Sequence, residues 1–361
     1  MKFFFDARYI RTVGFHDGVS RYSTELAHAL YELDSSITFI ISSDAQRKFL
    51  PSGAAFLTFH AVTSWKEPMT ALILNKYKPD VVATPLQTMG SFGRHFKLIL
   101  NQQDMTYYRL PTPPSNMSWV VRMLWRLYHL SYWPGRWTLN AADCVATVSE
   151  TSKHEIEAAK LTKRPIIVVP NAARDLSSYL NEPVKQYTQP PANIVYMGSL
   201  FVHKNVETLI AAMTFLPGRT LHILSRVTPS RKAELSKLFP TGSTVMFHNG
   251  VSDEIYAEIL SKNAIMASAT KSEGFNLNLA EALKLGVPCV FSDIPVHHEV
   301  AGDGALFADP RSPKDFAEKI TSLDNVAVRE ALIAKGQAHI QKFSWQHSAH
   351  VLLSAARDLV R

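Results

Sequence analysis

The sequence predicts an α/β protein built from two doubly wound halves, each a parallel sheet flanked by helices. Three observations carry that prediction. The chain has 361 residues, more than a single hydrophobic core commonly organises. Short apolar runs alternate with longer helical patterns, the rhythm of βαβ units. That rhythm lapses once, over the proline-rich, polar stretch DLSSYLNEPVKQYTQPP (175–191), and then resumes as a second series.

In the first half, Phe3–Phe5 reads as a strand and Ser20–Leu30 as a helix with Tyr22, Leu26 and Leu30 on one face. Strands are expected at Ile37–Ser42, Val81–Ala83, Leu98–Leu100, Cys144–Val148 and Ile166–Val169, and Asn171 closes the series. In the second half, Asn193–Met197 is a strand, followed by a loop at Gly198 and a helix from Val206. Further strands are expected at His222–Leu224, Val245–Phe247, Ile265–Ala267 and Val287–Phe291. Ser312–Pro313 opens a helix with a capping serine and a first-turn proline, and Trp345–Val360 is a terminal amphipathic helix. The resulting division is 1–185, 186–345 and a last helix 346–361 returning toward the first half, with the linker at about 175–191. Ligands of such sheets bind beyond the carboxyl ends of the strands, so the expected site is a cleft where the two sheets face each other.

Composition narrows the function. Apolar residues make up 46% of the chain, enough for ordinary cores, and no run reaches the roughly 18–20 apolar residues of a membrane span. MKFFFDARY is too short in its apolar part for a signal peptide, so nothing in the sequence directs export and a cytoplasmic protein is expected. The net charge of +7 comes from scattered lysines and arginines without a basic block or zinc-finger spacing, which speaks against nucleic acid and leaves a phosphorylated ligand or an anionic membrane. Cys144 and Cys289 sit in apolar runs and read as buried thiols, not metal ligands.

The most informative stretch is KSEGFNLNLAEALKLGVPCVFSD, Lys271 to Asp293. It sets Glu273 in a glycine-containing loop and Glu281 eight positions later, in the early turns of a helix that runs to Gly286. A loop-to-helix junction presents unpaired backbone N–H groups and the positive end of the helix dipole, the chemistry that binds phosphate. Two carboxylates beside it can accept hydrogen bonds from sugar hydroxyls. In YMGSLFVHKNVETLI, Gly198 permits a tight turn after a strand, and Lys204 stands just before a helix, either as a phosphate-neutralising cation or as a plain solvated lysine.

Taken together, the Gly-loop-Lys-Asn followed some 70 residues later by SEGF and a second Glu resembles the family 4 retaining glycosyltransferases of the GT-B fold, two Rossmann-like domains facing each other across a cleft. DARYIRTVGFHDGVSRYSTELAHAL, AADCVATVSETSKHEI, IIVVPNA, VMFHNGVSDEIYAEIL, VHHEVAGDGALFADP and FSWQHSA extend the resemblance over nearly the whole chain. The resemblance implies that Glu281 accepts from the ribose hydroxyls of a nucleoside diphosphate sugar and that Glu273 binds the transferred sugar. It implies that the segment Gly274, Phe275, Asn276 and Leu277 faces sugar and diphosphate, with Lys204 on the diphosphate beside Gly198 and Gly18 closing from the first half. It implies transfer with retention and no obligatory metal or other cofactor, in keeping with the lack of an Asp-x-Asp triplet. A GDP or UDP donor is expected, mannose is the first sugar to test, and the acceptor is a glycan or a lipid-linked glycan.

Three departures stand out. Ser199 occupies the place where the family often has Arg, so a second phosphate-binding cation is expected from Arg226 or His203, the alternative being that Arg226 is only an exposed arginine flanking a helix. LILNQQDMTYYRLP carries Gln103 where many members have His, and since an amide cannot take up a proton, Asp104 becomes the acceptor-side candidate. Asn276 and Asn278 replace the common glycine and proline. The segment Met117 to Trp137 holds four of the six tryptophans and three arginines, and reads either as an interfacial helix on anionic lipid or as an ordinary helix packed on the first sheet. The competing functional readings are a degenerate nucleotide-sugar-binding protein and a GT-B-shaped epimerase or phosphorylase.

Overall fold

The structure is a computed structural model that describes residues 1–13, 17–113, 118–182, 184 and 188–361. Met117, part of the N-terminal glycine loop (14–16) and part of the linker (183 and 185–187) lie outside the described residues. The chain forms two compact units. One comprises the described residues up to Asn171 together with Phe343–Arg361, and the other runs from Ala172 to Lys342.

The first unit holds a seven-stranded parallel sheet in the order β3-β2-β1-β4-β5-β6-β7, with β1 Phe3–Asp6, β2 Thr38–Ile41, β3 Ala55–Thr58, β4 Val81–Thr84, β5 Lys97–Asn101, β6 Cys144–Thr147 and β7 Ile166–Val168. All four residues of β1, β4 and β6 are buried, as expected of strands covered on both faces. The Gly18–Leu33 helix is capped by Asp17, whose side chain accepts from the Ser20 N–H. The Trp345–Val360 helix packs against it, with the Tyr22 and Trp345 rings edge to face at 5.9 Å, and Ser348 donates to the Pro170 carbonyl at 2.6 Å. The last helix thus completes the core of the first unit. Below the end of β1, the guanidinium of Arg8 is held by Asp6 and by Glu67, with Nε–Oδ1 and Nη1–Oε2 both at 2.8 Å.

The second unit repeats the plan with six parallel strands in the order β10-β9-β8-β11-β12-β13: β8 Asn193–Tyr196, β9 Thr220–Ile223, β10 Thr244–Phe247, β11 Ala264–Ser268, β12 Cys289–Ser292 and β13 Leu306–Ala308. In both units the strand order reverses between the first strand and the fourth, so the second unit has its switch point between β8 and β11. Its core joins Ile194, Tyr196, Ile223, Ile265, Val290 and Phe316.

Three features differ from what the sequence leads one to expect. β3 is a strand beyond those expected from the apolar runs. The linker is folded at its start: Asp175 caps a 3-10 turn over Leu176–Tyr179, and Leu176 is buried. The unit boundary falls at 171/172, ahead of that segment. The helix Trp119–His129, expected either on lipid or packed on the first sheet, has no buried residue and meets the first unit through Trp125 against Tyr107 and His129 against Tyr108. Cys144 and Cys289 are buried free thiols.

Candidate functional site

The site assembles at the carboxyl ends of β8 and β11, on either side of the switch point in the second unit. After β8 the chain turns at Gly198, whose φ of +150° disfavours a side chain and whose N–H donates to Ser225 Oγ at 2.9 Å. A short 3-10 turn, Val202–Lys204, then delivers Lys204. Asn205 follows in the left-handed conformation, φ 54°, which Asn tolerates better than most residues. Its side-chain amide donates to Ala269 O at 2.9 Å and Pro310 O at 2.7 Å, so the Lys-Asn pair has a mechanical half. The β8 and β11 loops are stitched again by Lys271 N–H donating to His203 O at 2.8 Å.

This stitching brings Lys204 and Glu273 together, 69 residues apart in sequence: Nζ donates to Oε1 at 2.6 Å, with both side chains mostly shielded. The cation and the first carboxylate of the sequence reading are therefore neighbours. Phe275 anchors the loop with its ring buried. Asn276 caps the Leu277–Leu285 helix: it stands at φ 77°, its Oδ1 accepts from the Leu279 N–H, and its Nδ2 donates to His297 Nε2 at 3.0 Å. His297 Nδ1 donates in turn to Ser292 O at 2.8 Å. Burial lowers the His297 pKa from 6.5 to about 4, which keeps the ring neutral and lets Nε2 accept. Asn278 ties the same helix back to β8 by donating to Met197 O at 2.9 Å. The two asparagines are thus structural replacements: one adopts the glycine-like conformation, and the other binds the end of the neighbouring strand.

Glu281 is fully buried in the second turn of that helix, and its Oε1 accepts from Arg174 Nε at 2.8 Å. Arg174 also holds Asp253, with Nη1–Oδ2 at 2.8 Å and Nη2–Oδ1 at 3.1 Å. Sequence reasoning missed Arg174. It follows the strand-ending Pro-Asn pair closely, but nothing local couples it to a carboxylate 107 positions away.

Of the two candidates for a second cation, His203 is lowered to about 4 by burial and by the neighbouring Lys204 ammonium, so it is neutral near pH 7. Arg226 is exposed and lies along Gly250, where a Cβ would stand 2.8 Å from Arg226 Cγ. In the first unit, Asp104 Oδ1 accepts from the Thr106 N–H at 2.8 Å, and Gln103 Nε2 donates to Pro85 O at 3.0 Å. Gly18 is the first, exposed residue of its helix, with nothing within 4 Å of a Cβ placed there. A cavity of about 210 Å³ in the second unit lies at the opposite, amino ends of the strands, beside Ala264, Pro288 and Arg329, and contains none of these residues. Among the described residues, no three His, Cys, Asp or Glu side chains gather as a metal site, and no helix is long and apolar enough to cross a membrane.

Two parallel Rossmann-like units, with an ammonium, a carboxylate and a helix N-terminus at a switch point, define the GT-B class. Residues 180–339 match the family described as Glycosyl transferases group 1, and residues 16–174 match Glycosyltransferase Family 4. The chain is 28% identical over 239 residues to the O-antigen chain mannosyltransferase B of Escherichia coli, a match covering 62% of each protein, so it aligns with less than two thirds of that relative's length. In fold it resembles sucrose-phosphate synthase from Thermosynechococcus elongatus, with a TM-score of 0.73, 15% identity, and 99% of this chain and 98% of the other covered. It also resembles Anabaena HepE, solved with UDP and glucose, with a TM-score of 0.72, 16% identity, and 99% and 100% coverage. The chain belongs to the family 4 glycosyltransferases.

Proposed function

We propose that this protein transfers a hexose, mannose first among the candidates, from a nucleoside diphosphate sugar to a glycan or lipid-linked acceptor, with retention and without a divalent cation. The carrying observation is the meeting of Lys204 and Glu273 beside the Asn276-capped helix. A diphosphate placed there meets an ammonium and a helix N-terminus, which stabilise charge on the departing nucleotide. Gly274 and Phe275 then face sugar and diphosphate, Arg226 supplies the second cation, and Glu273 accepts from the sugar hydroxyls. The bond between the anomeric carbon and the β-phosphate oxygen breaks, the acceptor oxygen bonds to the same face, and its proton passes to the leaving phosphate. Asp104 is the acceptor-side candidate, and Glu281 lies on the ribose side. The sequence relation to a mannosyltransferase supports mannose, with GDP tested before UDP as the carrier.

Transfer assays with GDP-mannose and UDP-hexoses, in EDTA and with Mg²⁺, test the reading. Lys204→Ala is expected to lower kcat/KM at least a hundredfold, within the range for loss of a positioned charge. Unchanged turnover in this variant refutes the assignment. Donor binding without transfer to any acceptor tried favours the degenerate binding protein, the reading that Gln103 and Ser199 suggest.

We further propose that the Trp119–His129 region lies on anionic lipid. Trp119, Val120, Met123, Leu124 and Leu127 form one exposed face, extended by Leu130 and Trp133. Arg122 and Arg126 flank it, and no acidic residue occurs between Asp104 and Asp143, a charge pattern that suits a negative surface. The opposite side meets the protein through Trp125 against Tyr107, ring centroids 4.9 Å apart. Cosedimentation with phosphatidylglycerol vesicles, reduced by Trp119→Ser with Leu127→Ser, is expected; equal recovery with and without vesicles refutes it.

A further inference from the structure

We propose that Tyr196 is a positioning residue for the donor's diphosphate: it turns the peptide between Ser199 and Leu200 so that the Leu200 N–H faces the distal phosphate. This rests on the reading that a nucleoside diphosphate sugar binds beside Lys204. Tyr196 ends β8 with 1% of its surface exposed, and its hydroxyl donates to Ser199 O at 2.7 Å. The same hydroxyl lies against Gly198, where a Cβ would stand 3.2 Å from it. Burial, and after it the Glu273 and Glu207 carboxylates, push the phenol pKa up, so the hydroxyl keeps the proton it donates.

A trans peptide sets its C=O and the following N–H in opposite directions, and no peptide here is cis. With the Ser199 carbonyl drawn inward to a buried phenol, the Leu200 N–H is turned outward, away from the core. It has no hydrogen-bond partner among the described residues. The turn is held on both sides of this peptide. Gly198 N–H is taken by Ser225, and Leu200 O accepts from Arg231 Nε at 3.2 Å, the guanidinium itself being braced by Glu207 and Glu234. Leu200 lies just ahead of the Val202–Lys204 turn that delivers the ammonium. A fixed backbone N–H beside an ammonium suits a phosphate oxygen. Ser199 stands where the family often has Arg, so this turn offers a main-chain donor where a side-chain cation is missing. A tyrosine bonded beneath a tight turn has a purely structural explanation as well, and the experiment separates the two.

The test measures the affinities of GDP and UDP by titration calorimetry, each beside its monophosphate, GMP or UMP. Wild type is compared with Tyr196→Phe, with a protein carrying the α-hydroxy acid of leucine at Leu200, with both changes together, and with Lys204→Ala. Tyr196→Phe keeps the ring that fills the core and removes only the hydroxyl. The hydroxy acid keeps the side chain and replaces the Leu200 N–H by an ester oxygen. Each single change is expected to weaken the diphosphate that wild type binds about tenfold, the value of one hydrogen bond to a charged group, and to leave its monophosphate within about twofold. The two changes together are expected to cost no more than either alone, because they remove the same contact.

Equal losses for diphosphate and monophosphate overturn the proposal, since Tyr196 would then act only through the fold. Unchanged diphosphate affinity in the ester protein also overturns it, since the N–H would meet no phosphate. Losses that multiply in the combined variant overturn it as well, since the two groups would act separately. If Lys204→Ala binds the diphosphate as wild type does, the underlying donor site is wrong. If Lys204→Ala weakens binding while the Tyr196 and Leu200 variants do not, only the role of Tyr196 fails.

Discussion

Asn276 concentrates three functions in one side chain, so its replacement gives a graded test of how the donor loop is built. Asn276→Ala places a Cβ residue without Asn's tolerance at φ 77°, which costs about 1 kcal/mol or more. It removes the helix cap; the bond to Leu279 N–H is long, 3.4 Å, so the loss lies near the lower end of the range, about 0.5–1 kcal/mol. It also strips the buried His297 Nε2 of its partner, which costs about 1–3 kcal/mol. These contributions are not independent, and a total of about 3 kcal/mol is expected. For a unit of this size that lowers the unfolding midpoint by about 6–12 °C. Asn276→Gly relieves the backbone cost while still losing the cap and the His297 bond, so it should fall between Ala and wild type by roughly 1 kcal/mol. Urea and thermal unfolding of the three proteins, followed by circular dichroism, read the order directly. If Asn276→Ala unfolds within 0.5 kcal/mol of wild type (about the size of an ordinary surface substitution), or if Gly is less stable than Ala, the account of this loop is wrong.

Other consequences are open to measurement. His297 has its folded pKa lowered to about 4 from 6.5, so the neutral ring contributes stability above pH 6.5 that is lost as the pH falls toward 4; about 3 kcal/mol is at stake, and a flat stability profile over that window contradicts its burial. Arg8→Met leaves Asp6 and Glu67 without their cation and is expected to cost about 3–5 kcal/mol, whereas adding Asp6→Asn and Glu67→Gln recovers much of it; chemical denaturation distinguishes the single from the triple variant. Gly250→Ala forces Arg226 off its seat and is expected to weaken donor binding as much as Arg226→Ala does; donor affinity unchanged in both variants removes Arg226 from the site.

Much of this architecture is legible in the sequence because buried parallel strands are written as unbroken apolar runs and helices announce their ends. Ser312–Pro313 and Asn276 open helices, and Gly286, at φ 81°, closes one. β3 escaped because Ala55–Thr58 is an edge strand with both ends exposed and only Phe56 and Leu57 partly covered, too little apolar character to register. The turn over Leu176–Tyr179 was lost inside a polar, proline-rich stretch, where a single buried leucine gives no period. At the site, the types and loops of Lys204, Glu273 and Glu281 were readable, but their partners were not. Pairing of Lys204 with Glu273, or of Arg174 with Glu281, depends on which strands become neighbours, and that order is a property of the folded sheet.

The bond between Lys204 and Glu273 also bears on how the reaction ends. In the transfer proposed here, an arriving donor must exchange partners with both groups at once: its pyrophosphate takes the ammonium, and its sugar takes the carboxylate. A nucleoside diphosphate that has given up its sugar can satisfy only the first. The orphaned carboxylate then draws the lysine back, and the resting contact becomes a built-in ejector that favours release of spent carrier over retention.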